Sequence, residues 1–229
     1  MNRIRKYKNG YQVLRTPSQV NNVGIELLRG DLVSFDDSFL RNYSVLTYDT
    51  LAEAIEQAFY FADLDWDSLV LLNKSAFYDI TKMIKDDLNA FGISVQFEPK
   101  MMTPLELRNT MFNRVMNYGS RFKASYQLND IISFNIVSMW SKNLDEIASH
   151  LFSDGRLRIE RVNRHMGMVT MIGLTDVSTT YEIRLTTTIF DQYYKWIAKY
   201  NIQDKELMDN MLKKCIKQQK DIDSSFVIR

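Results

Sequence analysis

The chain has 229 residues, 45% of them hydrophobic and 25% charged, with 29 basic against 28 acidic side chains. This composition excludes wholesale disorder and suffices for one large domain or two small ones with a hydrophobic core. Eight Gly and three Pro argue against a sandwich of many short strands, and no stretch approaches the roughly 18 apolar residues of a membrane span.

A single cysteine, Cys215, forms no internal disulfide, and the basic N-terminus lacks the apolar run of a signal peptide. Both point to a reducing, cytoplasmic compartment. The charge is segregated: Met1–Arg15 holds five basic residues and no acid, and Asp31–Asp67 holds nine acids against Arg41.

In chain order, Arg3–Lys8 and Tyr11–Arg15 flank Asn9-Gly10, a pair suited to the two positive-φ positions of a type I′ hairpin turn. Ile25–Leu28 and Tyr43–Tyr48 read as short strands. Thr50 and Glu53 have capping-box spacing before a helix whose stripe is Leu51, Ile55, Ala58, Phe59 and Ala62. Leu69–Leu72 fits a buried strand or the first turn of a helix. Ala76–Phe91 is helical, with Phe77, Ile80, Ile84 and Leu88 on one face and Gly92 as its stop. Ile93–Phe97 alternates as a strand closed by Pro99, and Thr103-Pro104 opens a helix to about Tyr118.

The second half carries a strand over Ile131–Trp140 and a helix over Leu144–Phe152. Strands follow over Arg156–Val162, Met168–Leu174 and Tyr181–Thr187, and the β-branched run to Ile189 favours extended structure. Helices over Asp191–Tyr200 and Asp204–Lys220 and a β-prone Phe226–Arg229 end the chain. The class is α+β: an N-terminal β-hairpin and small α/β unit, then an antiparallel sheet with helices packed on one face. Residues 1–120 and 121–229 are the expected units, with a soft boundary at 121–128 and a single domain as the alternative.

No constellation specifies a reaction, a cofactor or a metal. One Cys and two His, His150 and His165, cannot supply a zinc set. Asp63, Asp65 and Asp67 alternate, but Ser68 and Lys74 stand where a calcium loop needs Gly and Glu; the bland reading is a loop with Asp67 capping the next helix. Arg156, Arg158, Arg161 and Arg164 form the densest cationic cluster. As a strand, Arg156, Arg158 and Glu160 share one face: a salt-bridged solvated surface, a phosphate or nucleic-acid contact, or a protein contact. Leu207, Met208, Met211, Leu212, Cys215 and Ile216 make a narrow apolar seam that packs on its own domain or meets a protein partner.

The stretch Asn42–Ala58 through Trp66–Leu72, following the hairpin, resembles uncharacterised proteins encoded by large nucleocytoplasmic DNA viruses. That resemblance implies a minor capsid or virion component and carries over no catalytic residue. The expectation is a non-enzymatic structural or assembly protein, cytoplasmic or in a virion, that works through protein partners or self-association without membrane insertion. The alternative is a nucleic-acid-binding or processing factor using the arginine cluster and the basic hairpin.

Overall fold

The computed structural model describes residues 2–15, 25–28, 44–61, 65–118, 121–122, 131–177, 179–200 and 202–225. The expected hairpin is present as β1 (Asn2–Tyr7) and β2 (Gly10–Arg15), but its turn differs. Lys8 and Asn9 connect the strands, and Lys8, rather than Asn9 or Gly10, has positive φ (51°). Gly10 already pairs with Tyr7. Glycine is needed there because a Cβ would stand 2.5 Å from Tyr48 O.

β3 (Ile25–Leu28) and β4 (Ser44–Tyr48) follow, then α1 (Leu51–Phe61). The capping box forms as its spacing requires: Glu53 N–H donates to Thr50 Oγ1 (3.2 Å) and Thr50 N–H to Glu53 Oε2 (3.1 Å). Leu69–Leu72 belongs to a helix, α2 (Trp66–Leu72). Asp65, not Asp67, caps it, accepting from Ser68 N–H at 3.1 Å. α3 (Lys74–Phe91) buries Ile80, Ile84 and Leu88 and stops at Gly92, φ 71°. β5 (Gln96–Met101) contains Pro99 instead of ending at it; β5 is an edge strand, where a missing N–H is tolerated.

Next come α4 (Pro104–Tyr118), β6 (Arg121–Phe122), β7 (Ile132–Ser138) and α5 (Lys142–Ser153). β8 (Ile159–His165), β9 (Met168–Leu174) and β10 (Thr180–Thr187) follow. α6 (Thr188–Tyr200) starts without a loop, so Thr188 and Ile189 are helical despite their extended propensity. α7 (Lys205–Ser225) runs beyond Lys220. The α+β class is as expected. Asp31–Asp37, Asp63 and Phe226–Arg229 lie outside the described residues.

The chain divides into two compact units, Met1–Leu72 with Met102–Leu128, and Asn73–Met101 with Asn129–Arg229. In the first, the strand order is β4-β2-β1-β3-β6, and β1 and β3 run parallel. Ile4, Val13 and Leu14 are buried with Ala54, Ile55 and Ala58 of α1 and Leu107, Met111 and Val115 of α4. Arg5 of the basic hairpin is also buried, donating from Nε and Nη2 to Gln12 Oε1 at 3.0 and 2.7 Å.

The second unit has the order β5-β7-β10-β9-β8. β7 and β10 run parallel and the other neighbours antiparallel, so the sheet is mixed. Alternation gives it two unlike faces. Cross-strand rows such as Phe97–Ile136–Leu185–Val169 and Pro99–Phe134–Ile183–Met171 form the apolar one. α3 lies on it with Phe77 stacked on Phe134 (6.0 Å, 11°), and α5 buries Leu144, Ile147, Ala148 and Leu151.

Tyr181, 1% exposed, lies where a Cβ at Gly173 on the paired strand would fall. We expect Gly173→Ala to lower stability by about 1–3 kcal/mol through overpacking, read as a shift in the denaturant midpoint. Asp87 of α3 is buried and pairs with Arg156, which also holds Asp154 at 2.6 Å. Burial, then the Asp154 charge, raises the Asp87 carboxyl above its ordinary 3.8, with Arg156 opposing. A raised carboxyl binds its proton more tightly in the folded state, so its contribution favours folding at low pH and is lost as pH rises through the folded pKa. Asp87→Asn should remove that loss, flattening the thermal midpoint from about pH 4 upward relative to the unsubstituted chain.

Candidate functional site

The second face of the β5–β8 sheet is polar because the residues between the apolar rows are. One row reads Glu98–Asn135–Arg184–Thr170–Asn163, and the next reads Lys100–Ser133–Glu182–Ile172–Arg161. Thr186, Met168 and His165 form the row on the other side. Neither α3 nor α5 covers this face. α6 does so in part, with Asp191, Tyr194 and Lys195 lining a cavity of about 630 Å³ above the sheet. That size suits a small-molecule ligand.

The charges are interlocked. Asp191 Oδ1 accepts from Asn135 Nδ2 at 3.2 Å, and its Oδ2 lies 2.9 Å from Lys195 Nζ. Lys195 Nζ also reaches Glu98 Oε2 at 3.5 Å. The hydrogen bond to Asp191 is the main cause raising the Lys195 pKa, so its ammonium stays charged. Arg184 Nε donates to Glu182 Oε1, and the Glu182 side chain is 13% exposed. Glu182 thus sits deep on the central strand, a carboxylate held against a guanidinium.

The turn between β8 and β9 forms the rim. Gly167 has φ +68° and the Phe190 ring of α6 occupies the place of a Cβ. Its carbonyl accepts from Thr186 Oγ1 at 3.0 Å, and Met166 O accepts from Tyr194 OH at 3.3 Å.

The structure separates the four arginines. Arg156 and Arg158 precede β8: Arg156 pairs with Asp87 and Asp154, and Arg158 Nη1 is 4.0 Å from Asp176. A bulge between Ile159 and Arg161 then resets the alternation. Arg161 joins the polar face beside Ile172, whereas Arg164 turns to the other side and meets Asp145 of α5 at 3.0 Å. Only Arg161 of the four lines the cavity. The seam of α7 packs within the unit: Cys215, Met211, Leu212 and Ile216 lie against Phe190 and Tyr193 of α6. Met208 O accepts from Tyr193 OH at 3.3 Å, and Leu207 is 42% exposed. His150 stacks on Phe91 (5.0 Å), and His165 is at the cavity.

Sequence reasoning missed Glu98, Glu182, Arg184, Asp191 and Lys195. The available signal was the polar–apolar alternation of Tyr181-Glu182-Ile183-Arg184-Leu185, which places Glu182 and Arg184 together opposite the core. Among the described residues no cluster of three His, Cys, Asp or Glu side chains is placed to hold a metal ion, and no helix is long and apolar enough to cross a membrane.

No protein-family model and no curated protein matches the sequence. Solved structures share the fold. The small alarmone synthetase 1 from Bacillus subtilis matches 71% of this chain and 94% of its own, at 10% identity and TM-score 0.55; its complex with its product pppGpp matches at 0.54. The small alarmone synthetase 2 from Bacillus subtilis matches 72% and 98%, at 15% identity and 0.53. A GTP pyrophosphokinase family protein from Streptococcus pneumoniae matches 71% and 91%, at 13% identity and 0.52. These likenesses overturn the resemblance to viral proteins and, with it, the expectation of a non-enzymatic capsid, virion or assembly protein: the fold of this chain is one found in synthetases and a pyrophosphokinase family protein.

Proposed function

We propose that this chain is a nucleotide-dependent pyrophosphotransferase whose reaction takes place on the polar sheet face. The observation that carries this reading is the cavity itself, which sets Lys100, Arg161, Arg184 and Lys195 around the central carboxylate Glu182. Guanidinium and ammonium groups on a rigid sheet suit the oxygens of a polyphosphate and the charge that develops during transfer. The named activities of the matched synthetases and pyrophosphokinase family protein support the same chemistry.

In this reading the hydroxyl oxygen of an acceptor nucleotide attacks the β-phosphorus of a donor triphosphate. The bond from that phosphorus to the α–β bridging oxygen breaks, and a nucleoside monophosphate leaves. The acceptor proton passes to Glu182, the carboxylate nearest the middle of the face. Arg161 meets phosphate oxygens at the β8 edge. A divalent cation accompanying the triphosphate enters as part of the substrate. A cytoplasmic location, where nucleoside triphosphates are abundant, suits the reading.

The test incubates the chain with magnesium ATP and GTP and separates the products by anion exchange. We expect a product carrying two more phosphates than the acceptor, together with AMP. Glu182→Gln should cut turnover by about 10²–10⁴-fold while nucleotide binding persists, as loss of a general base does. Arg161→Ala should raise KM, and Arg158→Ala, off the cavity, should leave it unchanged. Absence of both nucleotide binding and transfer would refute the reading.

A further inference from the structure

Among the described residues, the cavity is lined by one phenol ring, which is not on the sheet, and by the His165 imidazole of β8. Tyr194 of α6 lines the cavity and is fixed on two sides. It packs against the cluster of Phe190, Tyr193 and Cys215, with the Tyr193 ring 5.3 Å away at 66°. Its hydroxyl is engaged by Met166 O at the β8–β9 turn. The phenol is therefore already committed as a donor, and what Tyr194 offers the cavity is its ring. Burial raises its pKa, so the ring stays neutral. A neutral, half-buried ring held in place by packing and a hydrogen bond is a preorganised surface for a flat π-system.

The position of the ring relative to the charges matters. Its hydroxyl reaches the turn beside His165 and Met168, whereas Glu182 and Arg161 lie two rows further along the sheet. From His165 to Arg161 is four strand residues, about 13 Å at the usual rise. The cavity thus has Tyr194 at one end and Lys100 and Arg161 in the row at the other, with Asn163, Thr170 and the Arg184 guanidinium in the row between them. A nucleotide has the same order: flat base, hydroxylated sugar, polyphosphate.

We infer that Tyr194 is the platform on which the base of a bound nucleotide stacks, with the phosphates directed toward Arg161 and Arg184. The inference rests on the proposed nucleotide chemistry and deepens it by assigning the orientation of one substrate. Stacking on an aromatic side chain is worth enough that its removal weakens binding by about 5- to 150-fold.

The experiment is calorimetric titration of the full chain and two variants, Tyr194→Leu and Tyr194→Phe, with GTP and with inorganic tripolyphosphate. Circular dichroism melting serves as the fold control. The expected result is GTP affinity weakened by Tyr194→Leu, retained by Tyr194→Phe, and tripolyphosphate affinity equal in all three. Equal GTP binding by Tyr194→Leu overturns the platform. Equal weakening by Tyr194→Phe also overturns it, because the hydroxyl that holds the turn would then be the determinant. Weakened tripolyphosphate binding by Tyr194→Leu overturns it as well, since a general loosening of the site would explain the effect. If the unsubstituted chain binds neither GTP nor tripolyphosphate, the proposed function itself fails, a result distinct from the other three.

Discussion

Everything about the second unit depends on the side-chain alternation of its two central strands. β7 and β10 lie side by side in parallel register, Ile132 opposite Tyr181 and Ile136 opposite Leu185. Their inward residues fill the space under α3 and α5, so their outward residues are set by the pleat alone. Ser133, Asn135, Glu182 and Arg184 have no freedom to face anywhere else. A slip of one residue in this register would bury Glu182 and Arg184 unsolvated and expose Phe134 and Ile183, an exchange that costs on both sides. The same packing that stabilises the unit therefore presents the polar groups.

Much of the local structure was legible in the sequence. The Thr50–Glu53 capping box, the Ile80–Ile84–Leu88 stripe and the Gly92 stop all express short-range chemistry, and all are present. The hairpin strands were equally local. Its turn was not, because the position of Gly10 is decided by the close approach of Tyr48 rather than by φ.

The candidate site was not legible, for a reason of range. Lys195 meets Glu98 and Asp191 meets Asn135, pairs that lie far apart in the chain and share no spacing rule. The arginine cluster shows the complementary error. Four cations close in sequence look like one surface, but a single extra residue between Ile159 and Arg161 moves the later ones by one step of the pleat. Arg161 goes to one side, Arg164 to the other, and Arg156 is taken up by Asp87 and Asp154. Sequence proximity counted charges correctly and said nothing about which face each would join.

Pro99 has an effect beyond the irregularity it introduces into β5. An edge strand normally presents a row of backbone donors to which a foreign strand can zip, and that is a common start of aggregation. β5 borders the polar face through Glu98 and Lys100, so a strand annealed to it would block the cavity from the side. A residue without an N–H breaks the donor row at the middle of the strand, and the charged side chains on either side of it oppose close approach. Pro99 and its charged neighbours Glu98 and Lys100 thus make the border of the site a poor template for an added strand, at little energetic cost.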